Sequence, residues 1–139
     1  VLHVDFRAVR VVLRHAPPRT PVVEDAWIAP GTHVIGVGAC RPNEREMPAA
    51  LVSRARLIVD SRAAAEKESG DILLARTDGA PVDISAELGE ICAKRAQGRE
   101  DTAGVTIFKS LGLAIEDVVA ARLAVDRARA QGIGETISL

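Results

Sequence analysis

Thr32-His33-Val34-Ile35-Gly36-Val37-Gly38-Ala39-Cys40 decides how this chain is read. Pro30-Gly31 just before it is turn chemistry, and the β-branched run from Thr32 to Gly38 then reads as one short buried strand. Its two glycines matter because they admit close approach of another group where any Cβ would collide. Two readings follow for Gly36 and Gly38: tight packing of strand on helix, or contact with a flat ring.

Working outward, Pro48 stands where a first helical residue would, and Ala49 to Ala55 continue as a short helix. Leu57-Ile58-Val59 is a second buried strand, followed by Asp60-Ser61, either of which can cap a helix over about Arg62 to Ser69. Gly70 reads as the stop of that helix. Asp78-Gly79-Ala80-Pro81 is a turn, and Ser85 then reads as the cap of a helix carrying Leu88, Ile91 and Cys92 on one face. Gln97 to Gly104 reads as a polar loop and Val105-Thr106-Ile107-Phe108 as a third strand. After Gly112 a long helix runs to about Gln131. Ile115, Val118, Val119 and Leu123 form its apolar stripe. Glu116 and Asp117 at its start, and Arg127 and Arg129 at its end, oppose the helix dipole. Gly132 terminates it, and Glu135 to Leu139 is read as a short final strand.

Strands joined by helices imply parallel pairing with right-handed crossovers. Ligands of such sheets sit at the carboxyl ends of the strands. The loops at Gly38-Ala39-Cys40, Asp60-Ser61 and Lys109-Ser110 are therefore the places to look for function.

Composition narrows the function classes. The chain has 139 residues, 47% of them hydrophobic and 27% charged, which is enough for one globular domain. The apolar content is mostly Ala, Val, Leu and Ile, with Phe6, Trp27 and Phe108 as the aromatics, a mixture that suits an α/β fold. A net charge of −1 gives no electrostatic footprint for nucleic acid. No apolar run approaches the roughly 20 residues a membrane-spanning helix needs, and no signal-peptide pattern opens the chain. Cys40 and Cys92 stand alone, so neither a metal site nor a disulfide framework is expected, and a reducing, cytoplasmic setting is.

Three blocks carry a resemblance. The first is Trp27 to Ala39 (WIAPGTHVIGVGA), continuing as Cys40-Arg41-Pro42-Asn43-Glu44-Arg45-Glu46-Met47. The second is Leu57-Ile58-Val59-Asp60-Ser61 with Glu68-Ser69-Gly70-Asp71-Ile72-Leu73. The third is Ala86-Glu87-Leu88-Gly89-Glu90, then Thr106-Ile107-Phe108-Lys109-Ser110-Leu111-Gly112 and Ile115-Glu116-Asp117. In this order they resemble the C-terminal part of the ornithine cyclodeaminase/mu-crystallin family, and the mu-crystallin and imine-reductase branch more than the cyclodeaminases. The fold implied is α/β: the C-terminal half of a Rossmann-type parallel sheet with helices on its faces, plus a long C-terminal helix. Residues 19–112 would be a partial NAD(P)-binding domain. Residues 113–139 would be a helix and tail returning towards the substrate and dimer domain. Residues 1–18 form an atypical segment that departs from the family pattern.

The resemblance implies an oxidoreductase using NAD or NADP on a small amino or imino acid, homodimeric at full length. Val37, Gly38, Ala39 and Cys40, with Ser110 and Leu111, would line the nicotinamide. Cys40 occupies the position of the Asp that acts on the substrate amine in cyclodeaminases. A thiol of ordinary pKa, about 8.5, stays mostly neutral and cannot replace an ionised carboxylate. That disfavours conversion of ornithine to proline and ammonia. The remaining alternative is a mu-crystallin-like protein that binds cofactor and ligand without turnover. No GxGxxG fingerprint is present, and the family's substrate-gripping basic residues belong to a region without counterpart here. As a truncated chain it is expected to be inactive alone, with low solubility from a half-sheet that leaves a strand edge open.

Other residues have plainer readings. His33 reads as a hydrogen-bonded structural histidine, Lys109 as a solvated lysine at a strand end, Glu46 as an acid ahead of a helix, and Cys92 as core.

Overall fold

The computed structural model describes residues 11–14, 20–135 and 137. Five strands, β1 (Val11–Arg14), β2 (His33–Gly36), β3 (Arg56–Val59), β4 (Ile84–Glu87) and β5 (Thr106–Lys109), pair in parallel in the order β1-β2-β5-β3-β4. The helices between them are α1 (Ala49–Arg54), α2 (Arg62–Glu68), α3 (Gly70–Thr77), α4 (Leu88–Cys92) and α5 (Ala114–Gln131), with a 3-10 turn at Asp25–Trp27. The crossover from β2 to β3 leaves one slot open, and β5 later fills it. This topology sets the carboxyl ends of β2, β5 and β3 side by side.

The sheet is buried by its own residue choice. Val34, Leu57, Val59, Ile84 and Ile107 pack with Leu51 and Val52 of α1 and Ile72 and Ala75 of α3 in one apolar cluster. Each such large side chain removed from water contributes about 1.5–3 kcal/mol before conformational entropy is counted. Ser61 caps α2, its hydroxyl accepting from the Ala64 N–H at 3.3 Å, as the sequence indicated.

Several elements differ from the sequence reading. Residues 84–87 are a strand rather than a helix capped by Ser85. Ile84 and Ala86 alternate inward and pair with β3, and the helix begins only at Leu88. Its cap is Glu87, whose side chain and that of Glu90 close a reciprocal capping box. Gly70 opens α3 instead of stopping α2. Pro48 is the cap residue before α1, with extended backbone, and not its first helical residue. Val37 and Gly38 have already left the ladder, since β2 ends at Gly36. Cys92 is exposed rather than core. Residues 11–14 join the sheet as a parallel strand beside β2. The final strand read at 135–139 lies largely outside the described residues. No helix among them is long and apolar enough to cross a membrane.

α5 is helical where expected and ends on Gly132 in the left-handed conformation (φ 64). None of its residues is buried; Ile115, Val118, Val119 and Leu123 all stand exposed.

At the amino end of the sheet, His33 is the hydrogen-bonded histidine its sequence setting called for. Its Nδ1 lies 2.6 Å from the Thr106 hydroxyl, and Arg99 donates to that same oxygen at 3.1 Å. Burial of the imidazole, then the Arg99 charge, lower the His33 pKa from 6.5. The unfolded chain therefore takes up this proton before the folded one does. Stability from this group is intact above the unfolded value and is lost as pH falls from about 6.5 towards the lower folded value. Urea midpoints near pH 7 and near pH 5.5 should differ more for wild type than for His33→Gln. Equal differences would show that His33 carries none of the pH dependence.

Candidate functional site

The carboxyl ends of the central strands meet in three loops. After β2, the segment 37–40 turns sharply at Ala39, which is buried with φ 50, a region a β-carbon seldom enters. After β5, the Ser110 N–H donates to the Gly36 carbonyl at 3.0 Å, so the Ser110-Leu111 turn sits directly beside the 37–40 loop. After β3, Asp60 reaches under that turn. One of its oxygens accepts from the Ser110 hydroxyl (3.0 Å) and from the Leu111 and Gly112 N–H groups (2.7 Å each). The other accepts from the Ser61 N–H at 2.8 Å. A nearly buried carboxylate thus shapes the β5–α5 turn, where Gly112 takes φ 89. The Ser110 hydroxyl proton is committed to Asp60, and the Gly112 N–H also lies 3.2 Å from that hydroxyl oxygen.

Gly36 and Gly38 separate in role. A Cβ on Gly36 would stand 3.1 Å from Met47 Cε and 3.6 Å from Lys109 Cδ, so the absent side chain at Gly36 serves internal packing. Gly38 has its N–H on Glu46 Oε2 at 2.9 Å and its carbonyl on the Lys109 ammonium. Cys40 is exposed, its Sγ 3.5 Å from the Val37 carbonyl and 3.8 Å from that of Gly38.

Beneath this loop lies a cluster that the sequence reading missed. Lys109 is 0% exposed and Glu46 and Asp71 1% each, so the solvated-lysine reading is overturned. The Lys109 ammonium lies 3.4 Å from Asp71 Oδ2 and 3.8 Å from Glu46 Oε2. Asp71 Oδ1 accepts the Glu46 N–H (2.7 Å) and the Met47 N–H (2.9 Å). One signal was available: β5 is a strand of a sheet covered on both faces, and a lysine at its end in such a sheet needs a buried counter-charge.

A second concavity, of about 300 Å³, lies at the opposite end of the sheet among Arg54, Arg56, Ser85, Arg99 and Thr106. Its arginines are already engaged. Arg54 pairs with Asp25 at 2.6 Å, Arg56 with Glu100 at 2.7 Å, and Arg99 donates to the Gly31 carbonyl at 3.0 Å. Strand direction places ligands at the other end, and the loop geometry there agrees.

Comparison with known proteins gives a consistent answer. The family model for the ornithine cyclodeaminase/mu-crystallin family matches residues 7–132. The chain is 50% identical over 108 residues to the ketimine reductase mu-crystallin of Mus musculus, covering 76% of this chain and 32% of that protein. It is 35% identical over 129 residues to the alanine dehydrogenase of Archaeoglobus fulgidus, covering 91% of this chain and 40% of that protein. The solved Delta(1)-pyrroline-2-carboxylate reductase of Thermococcus litoralis, in complex with NADH and L-proline, superposes with a TM-score of 0.81 at 39% identity, over 91% of this chain and 40% of that one. The chain therefore spans about a third to two-fifths of the length of these relatives.

Proposed function

This chain belongs to the ornithine cyclodeaminase/mu-crystallin family, and from that premise we propose that it supplies the nicotinamide-facing wall of an NAD- or NADP-dependent oxidoreductase acting on an amino acid/imine pair. The observation that carries the reading is the 3.0 Å bond from the Ser110 N–H to the Gly36 carbonyl. It brings together the two loops that the family resemblance assigns to the cofactor, at the carboxyl edge of a parallel sheet.

The residues present fit that group. Val37, Gly38 and Ala39 offer a stretch of backbone that has left the strand ladder and has small side chains at its turn, so a flat ring can lie against it. Ser110 and Leu111 supply the adjoining wall, held rigid from below by Asp60. When bound, a reduced nicotinamide supplies the hydride for an imine carbon, and the protein's part is to position it and keep water away. Cys40, in the place of a cyclodeaminase carboxylate, presents a thiol directed to the Val37 carbonyl. It offers no fixed negative charge to a substrate ammonium, which favours reduction of an imine or deamination of a simple amino acid over cyclisation of ornithine. In the complete protein, residues 113–139 return to a substrate and dimer domain, which would cover the apolar stripe of α5, and the protein is a homodimer.

The test is a titration of the complete protein with NADH and with NADPH, followed by fluorescence, and then a panel of cyclic imines and α-amino acids assayed for turnover. Cofactor binding with reduction of a cyclic imine is the expected result. Binding without turnover would mark a mu-crystallin-like binding protein, and release of proline and ammonia from ornithine a cyclodeaminase. Absence of binding to either cofactor would remove the reading altogether.

A further inference from the structure

We propose that the buried cluster Lys109, Glu46 and Asp71 is a positioning device for the cofactor-facing loop, gripping both peptide groups of Gly38 and so setting the backbone surface that the nicotinamide meets. The proposal rests on the cofactor reading above and adds residues to which the loop's geometry is owed.

Ionised groups taken wholly out of water carry a desolvation cost that their mutual attraction only partly repays, so a buried ion cluster is weak evidence for stability. An apolar trio of similar volume would satisfy packing alone. What the charged trio does that an apolar one cannot is bond to backbone. Glu46 Oε2 accepts the Gly38 N–H at 2.9 Å, and the Lys109 ammonium donates to the Gly38 carbonyl. These two groups belong to successive peptide planes, so both planes flanking Gly38 are fixed.

The need for such a grip is local. β2 ends at Gly36, and the next residues lack the ladder bonds that hold a strand. Ala39 then enters the left-handed region at φ 50, a conformation that persists only where its surroundings impose it. Glu46 and Lys109 take over the ladder's task across this gap. Glu46 is itself anchored, because Asp71 in the first turn of α3 accepts the Glu46 and Met47 N–H groups at 2.7 and 2.9 Å. A continuous chain of contacts therefore runs from α3 through residues 46–47 to Gly38. Lys109 closes it from β5 by touching both carboxylates.

Glu46, Lys109 and Asp71 are positioning residues, since none of them is placed to touch substrate. The discriminating measurement compares affinity for NADH with affinity for ADP-ribose (2′-phosphorylated if NADP is the cofactor), which lacks the nicotinamide. It is made on the complete wild-type protein, Glu46→Met and Glu46→Gln. Glu46→Met, which removes the acceptor of the Gly38 N–H, should weaken NADH by about 10- to 100-fold, the range set by losing one hydrogen bond to a charged group. ADP-ribose affinity should stay within about twofold on the same scale. Glu46→Gln keeps an acceptor oxygen and should restore NADH binding. Equal losses for the two ligands, or no loss for either, would overturn the proposal while leaving the cofactor reading intact. Failure of the wild type to bind NADH or NADPH would remove both. If Glu46→Met does not fold, amide exchange in the wild type decides. Protection of the Gly38 N–H comparable to the β2 amides is expected, and exchange at the rate of an open loop would overturn the grip.

Discussion

Gly70→Ala is expected to cost this domain about 4 kcal/mol or more, the sum of overpacking and of two lost charge-assisted hydrogen bonds. A Cβ at residue 70 would stand 1.8 Å from the Glu44 carbonyl oxygen and 2.5 Å from that of Arg41. Both obstacles are backbone, and neither can rotate aside as a side chain would. The first turn of α3 would have to back away, carrying Asp71 with it and breaking its bonds to the Glu46 and Met47 N–H groups. Against a total of 5–15 kcal/mol typical of a folded domain, such a loss is a large share. Gly89→Ala is the control. No atom lies within 4 Å of its Cβ position and its φ is ordinary, so alanine there should be neutral or stabilising by up to about 1 kcal/mol. Urea unfolding followed by circular dichroism measures both. A Gly70→Ala midpoint within error of wild type would mean that α3 does not seat against residues 41–44 as described.

The importance of Gly70 also shows where sequence reasoning reached its limit. A glycine after a run of helix-forming residues carries the same local signal whether it ends one helix or lets the next approach a neighbouring backbone. Only the carbonyls of Arg41 and Glu44, brought there by the fold, distinguish the two. β4 was hidden for a related reason. Four residues with Ile84 and Ala86 inward hold too few periods to tell alternation from a helical stripe, and the partner that makes them a strand is β3. In contrast, β2, β3 and β5 announced themselves by uninterrupted Val, Ile and Leu, and α5 by its stripe, charges and terminal glycine. The loops at 37–40 and 110–111 were legible as a site because strand direction alone sends ligands to that edge. The cluster under them was not, since burial of Lys109 depends on two acids contributed by separate segments of the chain.

Lys109→Met tests that cluster by its charge. Methionine fills nearly the same volume, so packing changes little, but two carboxylates lose the cation between them at a place with 1% exposure or less. The Gly38 carbonyl loses its donor as well. Removing one partner of a buried ionic group costs about 3–5 kcal/mol because the remaining charge is left uncompensated. The informative comparison is the triple variant Lys109→Met, Glu46→Gln, Asp71→Asn. It has the same methionine and the same lost donor, yet no charge in the cavity. If electrostatics sets the cost, the triple variant regains most of the stability that the single variant loses, although it carries three substitutions instead of one. Recovery of stability should not bring recovery of function. The Gly38 carbonyl still lacks its donor in the triple variant, so its NADH affinity should remain below wild type while its unfolding midpoint approaches it. A triple variant as unstable as Lys109→Met would show that the ammonium is needed for its bond to the loop backbone and not for its charge balance. Both outcomes are read from the same unfolding curves.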